Sequence, residues 1–236
     1  MSSNMYPDCK TWNPFVGCAF DCVYCAPSFK RQLKRVARRI RCNECFNYTP
    51  HYHPERLRRI PSASNVFVCG TGDIAFCKES FVWEIFEVID NHRPKIKKTY
   101  YFQSKDPYCF NEYLDWFRAN QDKVILLTTL ETNRDEGYRK ISKAPPPTKR
   151  FIDFLELDYP RKVVTIEPVL DFDFGYFINM IMAFYKQESL EYVWFGFDSK
   201  KCGLPEPTIK KAQDFVNALI HCGIEVRGKS LREVII

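Results

Sequence analysis

At 236 residues, with 45% hydrophobic and 27% charged side chains, the chain has the make-up of a globular protein with a sizeable core, which excludes a disordered or fibrous chain. No run reaches the roughly 18–20 apolar residues of a membrane helix, and the start MSSNMYPDCK has no signal-peptide apolar stretch, so a cytoplasmic protein without a membrane partner is expected. The formal net charge of +6 is concentrated in KRQLKRVARRIR (30–41) and RLRR (56–59), which reads either as a solvated helix face or as a surface for an anionic partner such as nucleic acid.

In chain order, TWNPFVG (11–17) reads as a first strand broken by Pro14, and residues 26–62 fit no repeating unit and are predicted to be an insertion after it. VFVCG (66–70) is a strand, followed by a helix from Glu79 to His92 with apolar residues at 81, 82, 85, 86 and 89. TYYFQS (99–104) is the next strand and NEYLDWFRAN (111–120) the next helix. VILLTTL (124–130) is continuously apolar, as strands buried on both faces are. After the breaker APPPT come a helix (149–157), a strand KVVTIEPVL (162–170), an apolar helix (174–186) and the strand YVWFGF (192–197). A helix over 208–222 ends at the C-cap signal Gly223, and 224–227 is a short last strand. About six β-α units imply a parallel sheet with right-handed crossovers in a single domain (1–236). A partial (β/α)6 barrel with outer helices is expected, an open doubly wound sheet being the alternative. In both, reactive residues lie on loops at the C-terminal strand ends.

Eleven cysteines, an odd number, cannot all pair, and a reducing cytosol disfavours pairing, so their clusters point to metal. Cys18-x3-Cys22-x2-Cys25 places three thiolates close enough to cap three corners of a [4Fe–4S] cube, leaving the fourth iron open to a small molecule. A zinc site completed by a distant ligand is the competing reading, but zinc motifs usually pair C-x2-C units.

This loop, with an aromatic residue before its last cysteine, resembles the signature of the radical S-adenosylmethionine superfamily. The chain is further similar to the phage Gp37/Gp68-like (three-Cys-motif) group through WNPFVGC (12–18), GTGD (70–73), FQSKDP (102–107), TTLETN (128–133), IEPVLDFD (166–173), WFGFDSK (194–200) and RGKSL (227–231). The resemblance implies the partial barrel, a [4Fe–4S] cluster on Cys18, Cys22 and Cys25, and S-adenosylmethionine held on the open iron. Reductive cleavage would give methionine and a 5′-deoxyadenosyl radical that abstracts hydrogen from the substrate in a closed barrel mouth. Tyr24 holds the position that lies against the adenine. Gly70, Thr71, Gly72 and Asp73 occupy the loop that binds the methionine amino group, through Asp73 or a backbone carbonyl. Ser104, Lys105, Thr129, Glu131 and Glu167, with Asp198 as a weaker member, end strands where carboxylates can accept from ribose hydroxyls and Lys105 can pair with the cofactor carboxylate. Each taken alone also reads as a cap or a surface ion pair.

Cys42-x2-Cys45 is followed by His51 and His53. Two thiolates and two imidazoles suit zinc, although H-x-H is tighter than the usual spacing. The pair can also join Cys9 or another cysteine around an auxiliary cluster, or stay a reduced pair beside surface histidines. Cys69, Cys77, Cys109, Cys202 and Cys222 read as buried inert thiols. Arg31, Lys34, Arg35, Arg38 and Arg41 recur at helical spacing, a stripe able to grip a phosphate backbone. Nucleic acid or a nucleotide is therefore the favoured substrate, in keeping with the group's similarity to spore photoproduct lyase. The stripe could instead dock the three-Cys-motif partner protein found beside group members, and a reductase would supply electrons. The contrasting reading is a non-catalytic, metal-stapled nucleic-acid-binding module.

Overall fold

Seven strands run parallel in strict sequence order, and that order fixes the architecture. The computed structural model describes residues 9–228, so Lys229, Ser230 and Leu231 of the RGKSL motif lie outside the described residues. The strands are β1 (Cys9–Trp12), β4 (Asn65–Val68), β5 (Thr99–Gln103), β6 (Val124–Thr129), β7 (Lys162–Ile166), β8 (Leu190–Phe195) and β9 (Val226–Arg227), each paired with the next. Right-handed crossovers between neighbours taken in order place every helix on the same face. The sheet therefore curls into a partial (β/α) barrel; a doubly wound sheet would need the strand order to reverse.

Alternation along the strands divides two cores. Val124 and Leu126 of β6 face the outer helices, whereas Ile125 and Leu127 face the concave side with Tyr101, Val163, Tyr192 and Trp194. The outer layer is α3 (Glu79–Asn91), α4 (Leu114–Ala119), α5 (Pro147–Glu156), α6 (Phe174–Lys186) and α7 (Ile209–His221). Its densest point is Phe86, stacked on Trp116 with centroids 3.7 Å apart and met edge-on by Phe102, Tyr113 and Phe117.

Several boundaries differ from expectation for local reasons. The predicted strand 11–17 is split at Pro14: β1 joins the barrel, while β2 (Phe15–Val16) pairs antiparallel with β3 (His51–Tyr52) in a separate ladder. The predicted strand 162–170 stops at Ile166, before Pro168, which has no N–H for a ladder. Val169 and Leu170 are apolar because their loop is buried, each donating a 2.8 Å backbone bond to Gly196 and Glu131 respectively. The predicted helix 111–120 is 3-10 over Pro107–Tyr113 and α only from Leu114. Gly223 follows α7 at φ +86°, the left-handed residue expected there. The insertion contributes α1 (Arg31–Ile40), α2 (Asn43–Asn47), β3 and a 3-10 turn, Pro54–Arg58. Among the described residues no helix is long and apolar enough to cross a membrane.

Candidate cofactor site

The cysteine loop leaves β2 at Gly17 and is walled on two sides. On one side Gly17 N donates to Thr71 O at 3.1 Å and Asp73 N donates to Gly17 O at 3.2 Å. A Cβ on Gly72 would stand 2.9 Å from Gly17 O, so GTGD can approach the loop this closely only with glycine there. On the other side Cys18 N donates to Tyr48 O at 3.4 Å, and a Cβ on Gly17, whose φ is +95°, would strike Thr49 O at 2.3 Å.

Cys18, Cys22 and Cys25 share one apolar pocket with Phe20, Tyr138, Ala144 and Leu170, with Tyr24 packed against it. Cys22 Sγ is 3.1 Å from Ser142 Oγ, Phe20 N donates to Cys18 Sγ at 3.4 Å, and no thiol is in a disulfide. The hydrogen bond with Cys25 lowers the Cys22 pKa to about 6; burial opposes this, and Lys105 and Ser142 assist. Burial, foremost, raises Cys18, with Asp73 adding to it.

Behind the loop lies a buried charge cluster. Glu131 Oε1 meets Tyr24 Oη at 2.5 Å, Tyr138 Oη at 3.0 Å and the ammonium of Lys105, while Oε2 accepts from Arg150 Nη2 at 2.8 Å. Burial raises the Glu131 pKa, but Arg150 and Lys105 outweigh it and bring it from 4.5 to about 2. Arg150 also donates to Pro145 O at 2.9 Å and to Thr129 O, and lies 4.9 Å from the Tyr138 ring centroid. Lys105 lies over the Tyr24 ring, 4.6 Å from its centroid. Burial lowers the Lys105 pKa, but the charges of Cys22 and Glu131 more than reverse this.

Asp73 joins two strand ends. It accepts from Ala75 N at 3.1 Å, Ser104 Oγ at 2.7 Å and Lys105 N at 2.9 Å, while burial raises its pKa to about 6. Deeper in the barrel, Thr129 Oγ1 accepts from Gln103 Nε2 at 2.7 Å and meets Thr165 Oγ1 at 2.9 Å, above the aromatic floor. Glu167 accepts from Trp194 Nε1. Asp198 is engaged in its own loop, accepting from Lys200 N at 2.8 Å and from Cys202 N.

The structure thus gathers Tyr24, Asp73, Ser104, Lys105 and Glu131 around the cysteine loop, and gives Gly72 a close-approach role. Tyr138, Ser142 and Arg150 escaped sequence reasoning. They come from the stretch after β6, where neither spacing nor composition marks them, and only tertiary convergence brings them in. Cys222 is exposed, against the expectation of a buried thiol, while Cys69 is buried and Cys77, Cys109 and Cys202 are half-buried.

The donor set suits an iron–sulfur cluster: thiols in an apolar pocket, an N–H aimed at one sulfur and a cation beside another. The class defined is therefore a partial (β/α) barrel with a thiol-rich loop at the C-terminal strand ends. Among solved structures the chain is similar to native anSMEcpe with bound AdoMet (11% identity, TM-score 0.52), covering 93% of this chain and 63% of that one. It is likewise similar to native anSMEcpe with bound AdoMet and Cp18Cys peptide (11%, TM-score 0.50, 93% and 63%) and to a histidine-tagged anSMEcpe with bound AdoMet (11%, 0.50, 93% and 61%). The chain spans under two thirds of the length of these proteins, and the likeness is one of fold. No family model and no curated protein matches the chain.

Proposed function

We propose that the chain is a radical S-adenosylmethionine enzyme of the phage Gp37/Gp68-like group, with a [4Fe–4S] cluster on Cys18, Cys22 and Cys25. The observation that carries this reading is the meeting of three thiols, the GTGD loop and the Lys105–Glu131–Arg150 cluster at the C-terminal ends of a half-barrel. That fold is shared with AdoMet-bound anSMEcpe. When bound, the cluster supplies the electron that splits S-adenosylmethionine into methionine and a 5′-deoxyadenosyl radical.

The chain's own part is position and electrostatics. Lys105 holds a positive charge beside Cys22, which supports a role for it in meeting a ligand carboxylate. Glu131, already accepting from Tyr24, Tyr138, Lys105 and Arg150, acts by fixing Lys105 and Tyr24. Tyr101, Tyr192 and Trp194 floor the barrel and exclude water from beneath the site.

The substrate we propose is a nucleic acid or nucleotide. Arg31, Lys34, Arg35, Arg38 and Arg41 are exposed on and just after α1. A groove of about 430 Å³ runs between α1 and β1, lined by Asn13, Gln32, Val36, Arg56, Arg59 and Thr71. Arg56 and Arg59 on its wall supply two guanidinium groups, which suits a phosphate backbone.

Anaerobic reconstitution tests the reading. About four irons per chain, a spectrum altered by S-adenosylmethionine, and 5′-deoxyadenosine formed with dithionite are expected, all lost in Cys22→Ala. Zinc at this loop with no nucleoside product would favour the metal-stapled binding module instead.

A further inference from the structure

We infer that Cys42, Cys45, His51 and His53 form a structural, mononuclear zinc site that cross-links the insertion and braces the outer wall of the cysteine loop. Their donor atoms all lie within 4.8 Å of one another. Cys42 Sγ is 3.4 Å from His51 Nε2, Cys45 Sγ is 3.2 Å from both Nε2 atoms, and the two Nε2 atoms are 2.9 Å apart. A tetrahedral zinc with Zn–S near 2.3 Å and Zn–N near 2.05 Å requires sulfur–nitrogen separations of about 3.5 Å. The observed set fits one ion, whereas a cube would spread its ligands wider. Among the described residues, the sulfurs of Cys18, Cys22 and Cys25 are not drawn into so tight a set.

The outward nitrogens fix the chemistry. His51 Nδ1 is 2.7 Å from Thr49 O and His53 Nδ1 is 2.9 Å from Glu55 Oε1. A carbonyl and a carboxylate only accept, so each Nδ1 carries the proton. In the neutral imidazoles both Nε2 atoms then present lone pairs to each other and to two sulfurs, an arrangement that a cation reconciles. Two thiolates would balance the charge of a divalent ion.

Local structure explains the unusual spacing. His51 and His53 lie two residues apart on and just after β3, so the strand's period of two puts them on one face. Tyr52 between them turns the other way, to Phe15 and Phe81. Cys42 caps α2 and Cys45 lies in its first turn, with Cys45 N donating to Cys42 Sγ at 3.2 Å. Cys9, the alternative ligand by sequence, packs with Tyr101 and Tyr192 in the barrel instead.

The role follows from what the site joins. Tyr52, Leu57 and Ile60 tie one end of the insertion to the barrel core. In contrast, α1 and α2 rest on a small cluster of Leu33, Ala37, Cys45 and Tyr48 with Val16 of β2, so a cross-link at Cys42 and Cys45 adds most where apolar surface is least. Tyr48 and Thr49, which wall the cysteine loop, lie between the two ligand pairs. The bracing role rests on the proposed function; the zinc site does not.

The test uses the full chain carrying Cys18→Ala, Cys22→Ala and Cys25→Ala, purified without added metal. About one zinc per chain and negligible iron are expected, with loss of the zinc in a further Cys42→Ser/Cys45→Ser variant. If that variant fails to fold, His51→Asn and cobalt(II) titration of the chelator-treated triple variant decide the matter. Intense visible bands of tetrahedral thiolate-bound cobalt, lost with His51→Asn, are expected. Iron in place of zinc, no tightly bound metal, or zinc retained without Cys42 and Cys45 would overturn the inference. Zinc here with no iron in the reconstituted wild-type chain would overturn the cluster reading alone.

Discussion

Replacing Arg150 with Met should be among the most damaging single changes outside the cysteines. Arg150 is fully buried, and its guanidinium serves Glu131 Oε2, Pro145 O and Thr129 O. Methionine fills much of the same volume but leaves a carboxylate facing only Lys105 and two tyrosines, and strands two carbonyls. Breaking one side of a buried ion pair costs about 3–5 kcal/mol. The direction of the Glu131 pKa agrees: burial opposes the charged form, yet Arg150, with Lys105, holds the carboxyl below its ordinary value. Against a total stability of about 5–15 kcal/mol for a domain, the cost of the broken pair is a large share. Urea unfolding at pH 7, followed by circular dichroism, measures it. Because the penalty is an uncompensated charge, Glu131→Gln/Arg150→Met should be about 1–2 kcal/mol more stable than Arg150→Met alone. The pH dependence has a definite sign. A folded pKa below the unfolded one stabilises the wild type fully above about 4.5, and this contribution is lost as pH falls toward 2. The gap between wild type and Arg150→Met should therefore narrow between pH 5 and pH 3. An Arg150→Met loss under about 1 kcal/mol, or a double variant no more stable than the single one, would refute the account.

Three further outcomes are expected. Gly72→Ala forces a Cβ to 2.9 Å from Gly17 O and should cost about 1–3 kcal/mol and lower iron uptake on reconstitution; Gly175→Ala, with open space around its Cβ, should leave uptake unchanged. Phe86→Ala removes the ring stacked at 3.7 Å on Trp116, so a loss of about 3–5 kcal/mol and a Tm fall on the order of 10 °C should appear in calorimetry. Arg35→Glu/Arg38→Glu reverses exposed charge on α1 and should weaken RNA or DNA binding in a salt-dependent way; binding that is unchanged in titrations at two salt concentrations would remove the nucleic-acid proposal.

The parallel barrel is legible in the sequence because its central strands, β6 and β7, are buried on both faces and read as apolar runs. VILLTT of β6 is buried throughout, and α6 begins and ends where its apolar stretch does. The same logic misleads at Val169 and Leu170, since burial of a loop and burial of a strand leave the same apolar trace. Pro14 marks a break, but only the distant partner His51–Tyr52 determines that the residues beyond it leave the barrel. Around the cysteine loop, the cysteine spacing and the residues Asp73, Ser104, Lys105 and Glu131 stand out in the sequence because they fall on loops at expected strand ends, and Tyr24 stands out through the resemblance. Arg150 does not: a cation early in a helix is ordinary, and only the fold shows that this one points inward to Glu131. H-x-H is tighter than the usual zinc spacing, and only β3 supplies the strand geometry that makes it suitable.

Charge balance ties these observations to the proposed chemistry. Lys105 and Arg150 are both withdrawn from solvent, yet Glu131 is the only carboxylate hydrogen-bonded to either side chain among the described residues. Asp73 is bound to backbone N–H groups and Ser104, and burial raises its pKa to about 6. The second partner of Lys105 is Cys22: its thiol pKa is lowered to about 6, and its charge and that of Glu131 hold the Lys105 ammonium, which is 13% exposed beside Tyr24. Burying a cation without a counter-charge is costly, so the Lys105 ammonium and the Cys22 thiolate favour one another. A cation that favours a thiolate beside it is what the proposed chemistry needs, since a cluster would be held by thiolates and a ligand carboxylate would be received next to Lys105.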